Sequence, residues 1–163
     1  MISIIVPCYN EQEALPFFHE EISRVLKEIG EDYELLFVND GSKDDTLKEL
    51  KALSTKDPHV IYLSFSRNFG KEAAMYAGFC NAKGDYIAVM DADLQDPPAL
   101  LPEMLKMLET DEYDSVATRR VSREGEPPIR SWFERRYYEY MKRITESDIE
   151  DGARKIRIMK RIW

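Results

Sequence analysis

The sequence predicts an α/β protein: a mainly parallel sheet with helices on both faces, of the Rossmann-like kind. Three observations carry that reading. Short, almost wholly apolar runs recur along the chain, as in strands buried on both sides. A segment with helical spacing follows nearly every one of them. The residues that close these runs are polar, charged or glycine, as at the edge where an open parallel sheet presents the carboxyl ends of its strands.

The elements follow in order. Residues 2–6 form the first strand. A helical pattern over about 14–29 comes next, with Pro16 tolerated only in its first turn and Gly30 as its stop. Residues 34–38 are the second strand, followed by a helix over 45–54 whose start, with Ser42 and Asp45, resembles a capping box. The third strand is 60–65 and its helix 71–82; the fourth is 86–90 and its helix begins at Pro97 and runs to about 108. Asp96 is the expected N-cap of that helix, with Pro97 in the first helical position. Residues 113–118 read as a fifth strand and 131–144 as one more amphipathic helix. The stretch 119–130, with Gly125, Pro127 and Pro128, is the one long irregular connection.

At 163 residues, 44% hydrophobic and 33% charged, the chain has the size and composition of one soluble globular domain and not of a disordered segment. No apolar run approaches the roughly 20 residues that span a bilayer. The first strand starts at Ile2, which leaves no room for a leader. Cys8 and Cys80 have no metal-type spacing and are expected as reduced core residues of a cytoplasmic protein. A net charge of −8 argues against nucleic acid as a partner. The charge is uneven, however. Residues 1–118 hold 10 Lys and Arg against 23 Asp and Glu, and residues 119–163 hold 13 against 8. The basic end suits either an anionic membrane surface or a solvated helical face.

Chemistry is concentrated at the strand ends: Pro7-Cys8-Tyr9-Asn10-Glu11, Asn39-Asp40-Gly41-Ser42, Ser66-Arg67-Asn68-Phe69-Gly70-Lys71 and Asp91-Ala92-Asp93. In an extended stretch, residues i and i+2 point the same way, so Asp91 and Asp93 can meet one hard cation; the plain alternative is a solvated acidic turn. Asp40 suits turn chemistry with Gly41, or an acceptor for the ring N–H of uracil. Arg67 and Lys71 flank Gly70 at a helix start, where free amides favour anions such as a diphosphate; a surface ion pair is the competing account.

The runs I-V-P-C-Y-N-E (5–11), V-N-D-G-S (38–42), S-R-N-F-G-K-E-A-A (66–74) and M-D-A-D-L-Q-D-P-P (90–98) resemble the family 2 glycosyltransferases. The likeness is nearest to bacterial polyprenyl-phosphate (bactoprenol) glucosyltransferases and relatives of dolichol-phosphate mannosyltransferase, over nearly all of residues 1–143. The resemblance implies a GT-A fold, inversion at the anomeric carbon, and Mg²⁺ or Mn²⁺ on Asp91 and Asp93. It implies a UDP-sugar donor, with UDP-glucose first, and a polyprenyl-phosphate acceptor at the inner, cytoplasmic face of the cell membrane. Carried over, Pro7, Tyr9, Asn10 and Glu11 line the nucleotide pocket, Asp40 holds the base, and Lys71 lies near the diphosphate. Asp91 contacts the ribose side, Asp93 the metal, and Gln95 the transferred sugar. Asp93, Gln95 and Arg157 form the catalytic set. Residues 1–118 are then the nucleotide-sugar core, and 119–163 an incomplete acceptor side.

Two departures qualify this. The family pattern D-G-A-R-D reads D-G-A-R-K here, with Lys155 in place of an acid often assigned as catalytic base. Family members also continue past the position of Trp163 into more catalytic domain and two membrane helices, so the expectation is of a C-terminally truncated member. The rival expectations are a sugar-nucleotide-binding module without transfer, and a transferase acting on another glycan or lipid. A homo-oligomer is compatible with either.

Overall fold

The computed structural model describes residues 1–119 and 153–161. Among them run strands β1 (Ile2–Cys8), β2 (Tyr33–Asn39), β3 (Val60–Ser64), β4 (Tyr86–Val89), β5 (Ser115–Arg119) and β6 (Ala153–Lys160), and helices α1 (Leu15–Ile29), α2 (Thr46–Lys56), α3 (Lys71–Asn81) and α4 (Leu101–Glu109). The strands form one mixed sheet in the order β3-β2-β1-β4-β6-β5. β1 pairs parallel with both β2 and β4, and β2 with β3. β6 runs antiparallel to β4, with Ile158 opposite Ala88. The chain divides into two compact units, Met1–Ala117 with Lys155–Trp163, and Thr118–Arg154; the account below concerns the first. The expected helix 131–144 and all but the first residue of the connection 119–130 lie outside the described residues.

Why the strands are so apolar follows from the layering. Ile4 and Val6 of β1 face one core and Ile5 the other, so neither side of the strand meets water. On the first face α1 presents Leu15, Phe18, Ile22, Val25 and Leu26, the three- and four-residue spacing of a single helical stripe. The Phe18 ring meets Phe37 of β2 edge-on at 6.1 Å between centroids. Leu50 of α2 and Leu101, Met104, Leu105 and Leu108 of α4 complete that layer. On the opposite face Met75 and Phe79 of α3 pack against Ile5, Leu36, Ile87 and Val89. A buried polar cluster ties the amino ends of the strands together. The Ser3 hydroxyl and the Lys83 amide donate to one Glu34 oxygen at 2.6 and 2.7 Å, and the Gly84 amide donates to the Ser3 hydroxyl at 2.8 Å.

Four expectations change. The helix after β4 does not start at Pro97 with Asp96 as its cap: a 3₁₀ turn, Pro98–Leu100, comes first, and α4 begins at Leu101 with Pro102 in its first turn and no side-chain cap. Pro98 excludes the helical region for the residue before it, and Pro97 is extended at φ −71°, ψ 125°. At α2 the capping box of Ser42 and Asp45 is replaced by Asp44, whose carboxylate accepts from the Thr46 amide at 3.0 Å and the Thr46 hydroxyl at 2.6 Å. Cys8 is buried as expected, but Cys80 is exposed on α3. The sequence reading contained no strand after 118, yet β6 joins the sheet beside β4.

Candidate functional site

β1 is flanked by β2 on one side and β4 on the other, so the chain reverses its direction of winding at β1. The crevice beyond the carboxyl ends of such strands is the ligand-binding place of open α/β sheets. A cavity of about 290 Å³ lies there. Pro7, Cys8, Tyr9 and Glu11 line it from the end of β1, and Asp40 from the end of β2. Asn68, Gly70, Lys71 and Ala74 contribute from the start of α3, and Asp91, Ala92 and Asp93 from the end of β4.

The loops around it hold one another through backbone amides. Asn10 donates its amide to the Ser42 hydroxyl at 2.9 Å and accepts from the Lys43 amide at 2.9 Å through its side-chain oxygen. The Glu11 amide donates to the Thr46 hydroxyl at 2.8 Å, and the Asp45 amide to the Gln12 side chain at 2.8 Å. Burial alone would raise the Asp44 carboxyl, but hydrogen bonds from Thr46 and the Gln12 amide hold it below its ordinary value.

Asp40, only 3% exposed, clamps the third loop. Its two carboxylate oxygens accept from the Phe69 and Gly70 amides at 2.7 and 2.9 Å. The next residue has to be glycine: at φ +63°, a β-carbon on Gly41 would stand 2.2 Å from the Arg67 carbonyl carbon. Asp40 and Gly41 thereby set where α3 begins. Gly70, at φ +100°, is its N-cap. Lys71 follows, and its ammonium pairs with the Asp91 carboxylate.

Asp91 and Asp93 do not sit on an extended segment. β4 ends at Val89, and the chain turns at Ala92 and Asp93, driving Leu94 into the left-handed region at φ 54°. The Asp93 carboxylate accepts from the Gln95 amide at 3.1 Å within this turn. Both acids still reach the cavity wall. Their oxygens suit a hard cation. No three metal-binding side chains converge among the described residues, so a cation held by this pair would complete its shell with water and diphosphate oxygens. Cys8 offers no nucleophile: burial first, then the nearby Glu11 and Asp91 charges, push its thiol up and keep it protonated.

Of the residues expected from sequence, Pro7, Tyr9, Glu11, Asp40, Lys71, Asp91 and Asp93 line the cavity. Asn10, Arg67, Gln95 and Arg157 are not among its lining residues. Asn10 joins two loops, as above. The Arg67 guanidinium lies over the Phe69 ring, 4.4 Å from its centroid. Gln95 is exposed beyond the turn, and Arg157 is exposed on β6 in register with Val89. Sequence reasoning missed Cys8, Asn68, Gly70, Ala74 and Ala92 as lining residues. Asn68 and Gly70 stand inside the quoted S-R-N-F-G-K run, and Ala74 lies one helical turn beyond Gly70.

The model of the family "Glycosyl transferase family 2" matches residues 3–163. The chain is 45% identical over 161 residues to the putative glycosyltransferase CsbB of Bacillus subtilis, covering 99% of this chain and 48% of that one. It is 36% identical over 160 residues to the prophage bactoprenol glucosyl transferase homolog of Escherichia coli, covering 98% and 52%. It thus spans about half the length of the curated relatives it matches. Among solved structures, glucosyl-3-phosphoglycerate synthase from Mycobacterium tuberculosis, in complex with Mn²⁺, UDP-glucose and phosphoglyceric acid, superposes with a TM-score of 0.70 at 20% identity, covering 98% of this chain and 56% of that one. The mannosyltransferase PcManGT from Pyrobaculum calidifontis, in complex with GDP-Man and Mn²⁺, gives 0.67 at 20% identity, covering 98% and 44%. The fold is therefore α/β of the GT-A type.

Proposed function

We propose that this chain, which belongs to glycosyl transferase family 2, forms the donor site of an enzyme that moves glucose from UDP-glucose to a polyprenyl phosphate at the cytoplasmic face of a membrane. The observation that carries the reading is one cavity at the sheet's switch point that joins Asp40, the Lys71 end of α3, and the Asp91–Asp93 pair. The glucose and the lipid acceptor rest on relatives named as bactoprenol glucosyl transferases. The fold leaves the base open, since one neighbour was solved with UDP-glucose and another with GDP-Man. Asp40 suits a base with a ring N–H, uracil among them. Each of its oxygens accepts one amide and keeps a second lone pair for a ring N–H.

In this reading the half-exposed Tyr9 ring offers a face beside the base. The diphosphate lies towards the amides and ammonium at the start of α3, where the helix end favours negative charge. Asp91 and Asp93 would hold a divalent cation, Mg²⁺ or Mn²⁺, which would supply positive charge against the departing UDP. The acceptor phosphate oxygen forms its bond to the sugar's C1 from the far side as the C1–O bond to UDP breaks, which inverts the anomeric centre. A phosphate oxygen is largely ionised at neutral pH and asks little of a general base. The basic segment 119–163 would serve the anionic membrane surface; no helix among the described residues is long and apolar enough to cross one.

Lys155, standing where the resemblance expects an acid, favours a second reading: donor binding without transfer. UDP release from UDP-glucose with Mn²⁺, measured with and without polyprenyl phosphate, separates the two. Release that depends on the lipid phosphate is the expected result. UDP-glucose binding with no release supports the second reading, and preferential consumption of GDP-mannose overturns the donor assignment.

A further inference from the structure

Asp91 carries two duties that conflict. It is one of the two acids positioned to hold the divalent cation, and its carboxylate pairs with the ammonium of Lys71, which lines the same cavity. Asp91 is mostly buried, with 15% of its side chain exposed, whereas Lys71 is 43% exposed and sits at the first position of α3. The ammonium therefore has room to leave and the carboxylate does not. An ammonium and a dication on one half-buried carboxylate would stand a few ångströms apart, where like charges repel strongly and solvent screens them poorly.

Resting on the donor-site reading above, we propose that Lys71 is an exchangeable counter-ion. It competes with the divalent cation for Asp91 and is released to the donor's diphosphate when cation and nucleotide arrive together. The position of Lys71 makes the exchange short, because the same residue that reaches Asp91 stands in the first turn of α3, at the helix end that favours negative charge. A diphosphate bound at that helix end supplies the negative charge that the ammonium gives up on leaving Asp91. The consequence is thermodynamic coupling. Nucleotide tightens the cation by drawing Lys71 away, and the cation tightens nucleotide by the same factor. The site would then discriminate against free divalent cations and against nucleotide without one, with no moving loop required.

The test is Mn²⁺ affinity, read from the electron-paramagnetic-resonance signal of free Mn²⁺, for the chain as it stands and for Lys71→Met, Lys71→Arg and Lys106→Met, each with and without UDP. Lys71→Met should bind Mn²⁺ alone roughly two- to fivefold more tightly than the parent chain, the scale of one partly exposed ion pair. UDP should tighten Mn²⁺ less in that variant than in the parent. Lys71→Arg keeps the competing cation and should match the parent. Lys106→Met removes the same charge from an exposed position on α4, away from the cavity lining, and should also match it. If Lys71→Met binds Mn²⁺ alone no more tightly, or if Lys106→Met gives the same gain, the exchange is wrong while the donor-site reading stands. If the parent chain fails to bind Mn²⁺ even with UDP, the donor-site reading falls and the exchange falls with it.

Discussion

Asp40 clamps a loop while it lines the cavity, so one side chain ties the loop to the proposed donor site. Its two oxygens hold the Phe69 and Gly70 amides, so an asparagine there would turn an amide donor towards one of two backbone donors. Asp40→Asn should therefore cost about 1–3 kcal/mol in urea unfolding, the scale of a buried amide left without its charged acceptor. It should also narrow the preference for UDP over ADP, whose base has no ring N–H to donate, because a site built around one hydrogen bond rejects partners that cannot make it. Unchanged stability would contradict the clamp, and GDP outcompeting UDP in the parent chain would contradict the base assignment. The residues of the site that were legible in sequence, Asp40, Lys71, Asp91 and Asp93 among them, are those whose position follows from standing just past a buried strand or at a helix start. Asn10 and Arg67 were not legible as they stand, because a side chain's direction in a turn depends on dihedrals that sequence does not display. Asn10 is left-handed at φ 57° and turns to the Lys43 amide, while Arg67 turns onto the Phe69 ring.

Among the elements, α1, α2 and β3 meet at Asp57, the residue that ends α2. His19 Nε2 of α1 and His59 Nδ1, one residue before β3, each lie 2.8 Å from an Asp57 oxygen, and the His59 amide donates at 2.9 Å. Burial alone would raise the Asp57 carboxyl, but the His59 amide and the two imidazoles hold it below its ordinary value. The unfolded chain then takes up this proton at higher pH than the folded one. The stabilisation is complete above the ordinary Asp value of about 4 and is lost as pH falls from there through the depressed folded value. Asp57→Asn should lower stability by about 1–3 kcal/mol near neutral pH, and by less in acid, at a pH well under the ordinary Asp value of about 4. Urea melts at both pH values measure it, and a gap of equal size at both would contradict the staple. Helices were legible from their three- and four-residue spacing, and parallel strands from continuous apolar runs. β6 carries a signal too, with Ile156 and Ile158 buried on either side of exposed Arg157, the alternation of a strand. Its antiparallel place beside β4 is a long-range pairing that no local pattern encodes. The start of α4 was misplaced because two adjacent prolines were read as a helix start, when the second forces the first to be extended.

For the molecule as a whole, the placing of polar residues at one edge of a mainly parallel sheet was legible, and the strand order was not. Parallel strands with right-handed crossovers leave their carboxyl ends on one edge, and the cavity lies there. The charge distribution fits the proposed division of labour: an acidic 1–118 around the proposed donor site, and a basic 119–163 suited to an anionic surface. The central claim is that this edge binds a uridine diphosphate sugar through a divalent cation held by Asp91 and Asp93. Calorimetry of UDP binding, with Mn²⁺ and with chelator, for the parent chain and for Asp93→Asn, tests it most directly. The account predicts tighter binding with Mn²⁺ in the parent chain and loss of most of that gain in Asp93→Asn. Equal affinity with Mn²⁺ and with chelator in the parent chain would contradict it.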